Sequence, residues 1–377
     1  MYKKVDSVAI CGHLWWASLE QPHGWAAIIK GSPRKSGKHM KRHKYKKELF
    51  THRTGGQAPG LVVAADENMQ SKFVVQKILE LREQGIPLDD MAVLFRSSYL
   101  SFDLEIELTK ANIPFVKFGG FKFVETAHIK DLVAYLRVLE NPRDAVAWNR
   151  ILLLVDGVGP RTAEKVIDDV LARRVTTGHS AFWAHYNTYP GRIRDLFEIL
   201  KSAAPAHLSP AEKVTQLVGY YQPIFTKRYD DYPKRQKDIE MFQQITGRYR
   251  SVSTLLTDLA LEPANESVTD VEAPTSDDEK LILSTVHSAK GLEWNTVFVL
   301  YALDGRFPAS RAVMNDDALE EERRLMYVAC TRAKENLFIT YPINIYDRES
   351  GLVLSKPSRF IADMPEHLLD TWVVSEE

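Results

Sequence analysis

The run Leu281-Ile-Leu-Ser-Thr-Val-His-Ser-Ala-Lys-Gly-Leu-Glu-Trp294 holds the densest chemistry in the chain. Its apolar start reads as a strand over 281–286. That strand delivers Thr285, His287 and Ser288 at its carboxyl end, where open α/β sheets hold ligands. Two hydroxyls and an imidazole can donate to phosphate oxygens. Gly291 relieves backbone crowding, and Glu293 is a carboxylate placed where a ribose hydroxyl can be held. A lone T-x-H-S would signify no more than a strand turn with a polar rim; the full run is far more specific.

A second run, Leu319-Glu-Glu-Glu-Arg-Arg-Leu-Met-Tyr-Val-Ala-Cys-Thr-Arg-Ala-Lys334, reads as a helix with acids in its first turn and bases in its last, as the helix dipole prefers. Leu325, Val328 and Ala329 form its buried stripe, and Arg332 falls close to its end. A guanidinium there offers a planar fork that keeps its charge and can meet a phosphate across a cleft. On the charges alone, the same run reads as a surface helix laced with ion pairs. The third constellation is Asp156-Gly-Val-Gly-Pro-Arg-Thr162, following the apolar Ile151–Val155. Two glycines make a tight turn between helices, and Pro160 suits a first helical position. The amides around Gly157–Gly159 then point outward at a helix start, a ready anion site. An ordinary helical hairpin turn is the alternative.

These residues need a scaffold that brings strand ends and helix ends to common edges. Short apolar runs at 61–65, 91–95, 115–118, 281–286, 296–300 and 337–341 alternate with helical stripes. One stripe holds Phe73, Val74, Ile78 and Leu81, and another Ile129, Leu132, Val133, Leu136 and Leu139. Strands alternating with helices argue for a parallel α/β sheet. Past Asn141-Pro142 the strand signal vanishes, and residues 143–261 show helical periods only. Residues 262–279 carry seven acids and no base and read as a disordered loop. The α/β alternation then resumes, so the helical block is an insertion. The expected division is therefore a basic, poorly defined segment at 1–59, an α/β domain from 60–142 and 280–367, a helical insertion at 143–261, the acidic loop at 262–279 and a tail at 368–377.

Bulk properties narrow the class. The chain has 377 residues, 45% hydrophobic and 26% charged, with a net charge of −1. That is ordinary globular composition, and global charge announces no nucleic-acid partner. Charge is uneven instead: residues 30–53 are crowded with Lys, Arg and His. Cys11 and Cys330 stand far apart with no CxxC pair, which argues against a disulfide framework or zinc site and for a reducing cytoplasm. No apolar run approaches the roughly 18–20 residues of a membrane span, and no apolar signal-peptide core follows Met1–Lys4.

The first two runs together resemble the late motifs of the UvrD/PcrA/Rep-type superfamily 1 DNA helicases. Met91-Ala-Val-Leu-Phe-Arg-Ser-Ser98, the Gly119–Arg137 segment, Phe307-Pro308 and Pro357-Ser-Arg-Phe360 resemble further segments of that family, so the likeness covers roughly residues 45–367. It implies the second RecA-like domain of a two-domain, 3′-to-5′ motor, interrupted by a helical subdomain with a helix-hairpin-helix-like element. ATP would bind in the cleft between the two motor domains. By this resemblance Arg332 is the arginine finger for the γ-phosphate, and Glu293 and Gly291 complete the nucleotide contact. Thr285, His287 and Ser98 touch single-stranded DNA, while Gly157, Gly159 and Thr162 touch duplex phosphates at a single-strand/duplex junction. A bacterial cytoplasm, at the nucleoid, is the implied location.

The resemblance breaks at the N-terminus. No G-x-x-x-x-G-K-[ST] occurs. Gly31-Ser-Pro-Arg-Lys-Ser-Gly-Lys38 has one residue too many and is followed by His39 where a hydroxyl belongs. No DExx box follows a strand, and Leu19-Glu-Gln21 runs into Pro22-His-Gly-Trp25 where the family carries a second phosphate-sensing Arg. Residues 1–45 thus read as a degenerate remnant or the product of a broken reading frame, and the Mg²⁺ ligands are expected on a missing first motor domain. Two readings follow: half of an ATP-driven motor completed by a P-loop-bearing half, or a non-catalytic DNA-binding module derived from a helicase. Arg332 and Glu293 favour the first, because a module without ATP needs neither.

Overall fold

The computed structural model describes residues 3–4, 57–120, 122–172, 189, 191–260, 279–347 and 352–375, and it divides into two units between Gly120 and Phe121. The first unit is built on a sheet of strands β1 (Lys3–Lys4), β2 (Gly60–Ala64), β3 (Met91–Phe95), β4 (Phe115–Phe118), β5 (Leu281–Thr285), β6 (Trp294–Val299), β7 (Ala333–Pro342) and β10 (Asp370–Val374). Among the described residues their order is β1-β10-β2-β7-β6-β3-β5-β4. Every neighbouring pair from β10 to β4 is parallel, and β1 runs antiparallel on the outer edge. A separate antiparallel pair, β8 (Ile345–Asp347) and β9 (Leu352–Leu354), stands outside it.

Central strands of a parallel sheet are buried on both faces, so they read as continuous apolar runs. All five residues of β3 are buried. Val93 and Phe95 join one core with Phe73, Val74 and Ile78 of α1 (Glu67–Glu83) and Leu104 and Leu108 of α2 (Phe102–Lys110). Ala92 and Leu94 face the other core, with Val297, Val299 and Ile339 and with Leu325, Met326 and Ala329 of α10 (Asp316–Cys330). Helices therefore cover both faces, as the RecA-like reading requires. Local signals start these helices: Asp66 Oδ1 accepts from Met69 N at 2.8 Å ahead of α1, and Asn315 Oδ1 from Ala318 N at 3.0 Å ahead of α10.

The second unit is helical: α3 (Ala127–Glu140), α4 (Ala145–Leu152), α5 (Pro160–Ala172), α6 (Arg192–Ala203), α7 (Pro210–Arg228), α8 (Tyr232–Thr246) and α9 (Val252–Ala260). Its core holds Tyr135, Trp148, Phe197, Tyr221, Phe225 and Phe242, all fully buried. Buried Asp131 of α3 ties three helices together, accepting from Arg150 Nε at 2.7 Å and Tyr221 Oη at 2.6 Å.

Two expectations about organisation are corrected. The helical unit begins at 121, not 143, because the stripe of α3 is buried on α4, α7, α8 and α9. Helical period shows that a face is buried; it does not say against what. The tail expected at 368–377 contains β10, whose Asp370–Val374 pairs in register with Gly60–Ala64. The remnant at 1–45, apart from Lys3–Lys4, and most of the acidic loop lie outside the described residues.

Candidate functional site

The sheet sends the long 281–294 run to two opposite edges. Thr285 ends β5 beside Phe95, the last residue of β3, at the carboxyl edge. Trp294 begins β6 beside Ala333, the first residue of β7, at the amino edge. Five- and six-residue strands at about 3.3 Å per residue separate these edges by roughly 15–20 Å. Residues 286–293 alone cross that span.

At the carboxyl edge the ends of β3, β4 and β5 gather Ser98, Gly119-Gly120, Thr285 and Ser288. Thr285 Oγ1 donates to Ser288 Oγ at 3.0 Å, and Ser288 N to Thr285 O at 3.0 Å. Gly119, at φ +83°, lies so close that a Cβ there would run into Thr285 Oγ1 and stand 2.9 Å from Thr285 Cγ2 and 2.7 Å from Ser288 Oγ. A Cβ on Gly120 would meet Ser98 Oγ and, at 2.8 Å, Ser98 Cβ. Glycine is required here for close approach as well as for dihedral freedom. Ser288 and His287 are exposed beside this rim.

Beneath the rim is an ion pair that sequence reasoning missed. Lys117, whose side chain is 1% exposed, donates to Glu105 Oε1 at 2.7 Å and to Ser98 O at 3.2 Å. Ser101 Oγ lies 2.6 Å from the same Glu105 oxygen and 2.8 Å from Ser98 O. The ammonium stands 4.6 Å from the centre of the Phe102 ring. The signal available was a lysine inside the apolar strand Phe115–Phe118 with a glutamate on the buried face of the preceding helix. A second missed pair joins the end of β3 to α10: Arg96 Nη2 meets Glu322 Oε1 at 2.6 Å, and Ala309 N donates to Glu322 Oε2 at 3.3 Å. Of the three acids that open the second run, Glu322 is therefore buried. Glu320 and Glu321 make i,i+3 surface pairs with Arg323 and Arg324, as the surface-helix reading has it.

At the amino edge the structure joins Arg332 to the Gly291–Trp294 turn. Arg332 follows the last turn of α10, whose C-cap is Thr331. Its Nη1 donates to Leu292 O at 2.8 Å, its Nε to Val328 O at 3.1 Å and its Nη2 to Thr331 Oγ1 at 3.1 Å, while Trp294 N donates to Arg332 O at 2.9 Å. Gly291 sits at φ +92° and Glu293 is exposed. Arg332 is half-buried, and Glu293 lies exposed next to the Leu292 whose carbonyl Arg332 binds. Three hydrogen bonds use three of the five guanidinium N–H groups, so two remain for a phosphate oxygen. Among the described residues no cluster of three or more His, Cys, Asp or Glu side chains is placed to hold a metal ion.

The helical unit places Gly157 and Gly159 in the α4–α5 turn and Thr162 in the first turn of α5, all exposed, with Gly157 at φ +82°. Thr162 N and Ala163 N bond Gly159 O at 3.0 and 2.9 Å as α5 begins. Asp156, just before the turn, accepts on Oδ2 from Lys227 Nζ at 2.7 Å and from Arg192 Nη1. Lys227 and Arg192 hold this carboxyl below the usual carboxylate range.

The model of the UvrD-like helicase C-terminal domain matches residues 32–343. Curated relatives include the ATP-dependent DNA helicase PcrA of Staphylococcus aureus (strain Mu50), 30% identical over 346 residues, covering 86% of this chain and 46% of that protein. PcrA of Leuconostoc citreum is 31% identical over 354 residues, covering 86% and 46%. PcrA of Staphylococcus epidermidis is 30% identical over 376 residues, covering 94% and 50%. The chain thus spans about half the length of the curated relatives it matches. With most of its length matched and the parallel sheet, the interrupting helices and both sheet edges in place, the chain belongs to the UvrD-like helicase C-terminal domain family.

Proposed function

We propose that this chain is the second motor half of an ATP-driven, 3′-to-5′ DNA helicase. One observation carries the reading: residues 286–293 join a hydroxyl-rich rim at the carboxyl edge to the Arg332 turn at the amino edge. In this reading Ser98, Thr285 and His287 hold the phosphates of single-stranded DNA. Arg332 meets the γ-phosphate of ATP, stabilising charge that develops there, while Glu293 holds the ribose with Gly291 at its turn. A shift of Arg332 towards phosphate pulls Leu292 and Trp294 through the hydrogen bonds that tie them, and so moves the short segment that carries His287 and Ser288. Gly157, Gly159 and Thr162 hold duplex phosphates at the junction. Turnover requires a P-loop-bearing half, covalently joined or separate, which grips the β- and γ-phosphates and supplies the Mg²⁺ ligands. The docked Arg332 favours this over a module that has lost ATP use.

Binding of the full chain to fluorescent 3′-tailed duplex DNA tests the rim. Thr285→Ala and His287→Ala are each expected to weaken binding about threefold to tenfold, on the order of 1 kcal/mol per lost phosphate contact. Unchanged affinity in both variants would remove the rim from the DNA path.

A further inference from the structure

The α4–α5 turn carries a charge of the wrong sign for a phosphate contact. Asp156 precedes Gly157 directly, and its Oδ2 is where Lys227 Nζ and Arg192 Nη1 converge. The three side chains are 47%, 72% and 63% exposed, in the order Asp156, Lys227, Arg192. Two cations converging on one oxygen beside an outward-facing glycine turn present to that oxygen what a phosphodiester oxygen would also bind. Exposed ion pairs of this kind are weak and screened by salt, so a phosphate can displace the carboxylate at small cost.

We propose that Arg192 and Lys227 form a phosphate site for the backbone of duplex DNA, continuous with the Gly157–Gly159 turn. Asp156 fills that site from within the chain and sets duplex affinity low. The inference rests on reading the turn as a duplex contact. The two cations reach DNA only by exchanging one anion for another. The carboxyl, held below its usual range, stays ionised at neutral pH and competes fully there.

The test measures affinity of the full chain for a blunt duplex and for a single strand across a salt series. Asp156→Asn preserves shape and removes the charge. It is expected to tighten duplex binding about threefold to tenfold near 0.1 M salt and to steepen the slope of log K against log salt by about one to two. Arg192→Ala with Lys227→Ala, added to Asp156→Asn, should cancel that gain. A gain equal for single strand and duplex would overturn the duplex assignment. Asp156→Ser gives a second neutral variant should the first fold poorly. Gly159→Glu separates the inference from the reading beneath it, because Gly159 has open space around it and a positive φ is not required there. If Gly159→Glu weakens duplex binding while Asp156→Asn leaves it unchanged, the turn is a DNA contact and the competitor is refuted. If Gly159→Glu has no effect, the reading of the turn falls and its continuity with the Arg192–Lys227 site falls too.

Discussion

Replacing Lys117 with methionine removes the cation from a pair whose side chains are 1% and 4% exposed. Methionine keeps most of the stem that lies against Phe102. Glu105 then retains Ser101 as a donor 2.6 Å away but loses its lysine at 2.7 Å, and Ser98 O loses the ammonium at 3.2 Å. Breaking a buried pair from one side typically costs about 3–5 kcal/mol, because the remaining charge stays buried. With a slope on the order of 2–3 kcal/mol per molar urea, the midpoint of the α/β unit should fall by roughly 1–2 M. Trp294 and Trp372, both on its sheet, report that transition. Adding Glu105→Leu removes the stranded carboxylate, and the double variant should regain most of the loss, as apolar replacements of buried pairs commonly do. Single-strand affinity should stay weakened in the double variant, since Ser98 O still lacks the ammonium and keeps only the Ser101 hydroxyl as a donor. A Lys117→Met cost below about 1 kcal/mol, or a double variant with full DNA affinity, would refute the claim that the pair holds the rim in place.

Gly119→Ala should weaken single-strand binding about tenfold, equivalent to about 1.4 kcal/mol, because the methyl displaces both branches of Thr285. Gly85→Ala is its control: it shares a positive φ, of 89°, but has nothing within 4 Å, so it should cost stability and leave DNA affinity alone. Burial pushes the Cys330 thiol up from 9.0 to about 12. The unfolded thiol ionises first, so stability present below pH 9 is lost as pH rises towards 12, at about 1.4 kcal/mol per unit. Urea midpoints at pH 8 and pH 10.5 should therefore fall more steeply for the native chain than for Cys330→Ala; parallel curves would contradict this.

The strands that position the site were legible because central parallel strands are largely apolar, as in Met91–Phe95 and the Leu281-Ile-Leu start of β5. The insertion was legible as a loss of strand signal. The outer strand Asp370–Val374 was missed, although Thr371-Trp372-Val373-Val374 is a β-branched and aromatic run. Its short length after a proline hid it. The segment 281–294 looked like one site because it is continuous in sequence; only the parallel pairing of β5 with β3, and of β3 with β6, shows that its two ends lie on opposite edges. Long-range pairs were the least visible. Arg96 and Glu322 are 226 positions apart, and Asp156 finds Lys227 71 positions away. No local periodicity encodes such partners, which are fixed by the packing of whole elements.

ATP turnover by the purified chain with 3′-tailed duplex DNA, beside Arg332→Ala, bears most directly on the proposed half-motor role. If, as proposed, this chain supplies the finger, the ribose contact and the DNA rim while a P-loop comes from another half, it will bind the DNA and show no turnover. Turnover that Arg332→Ala abolishes would contradict the half-site and place a phosphate-binding element within the chain itself.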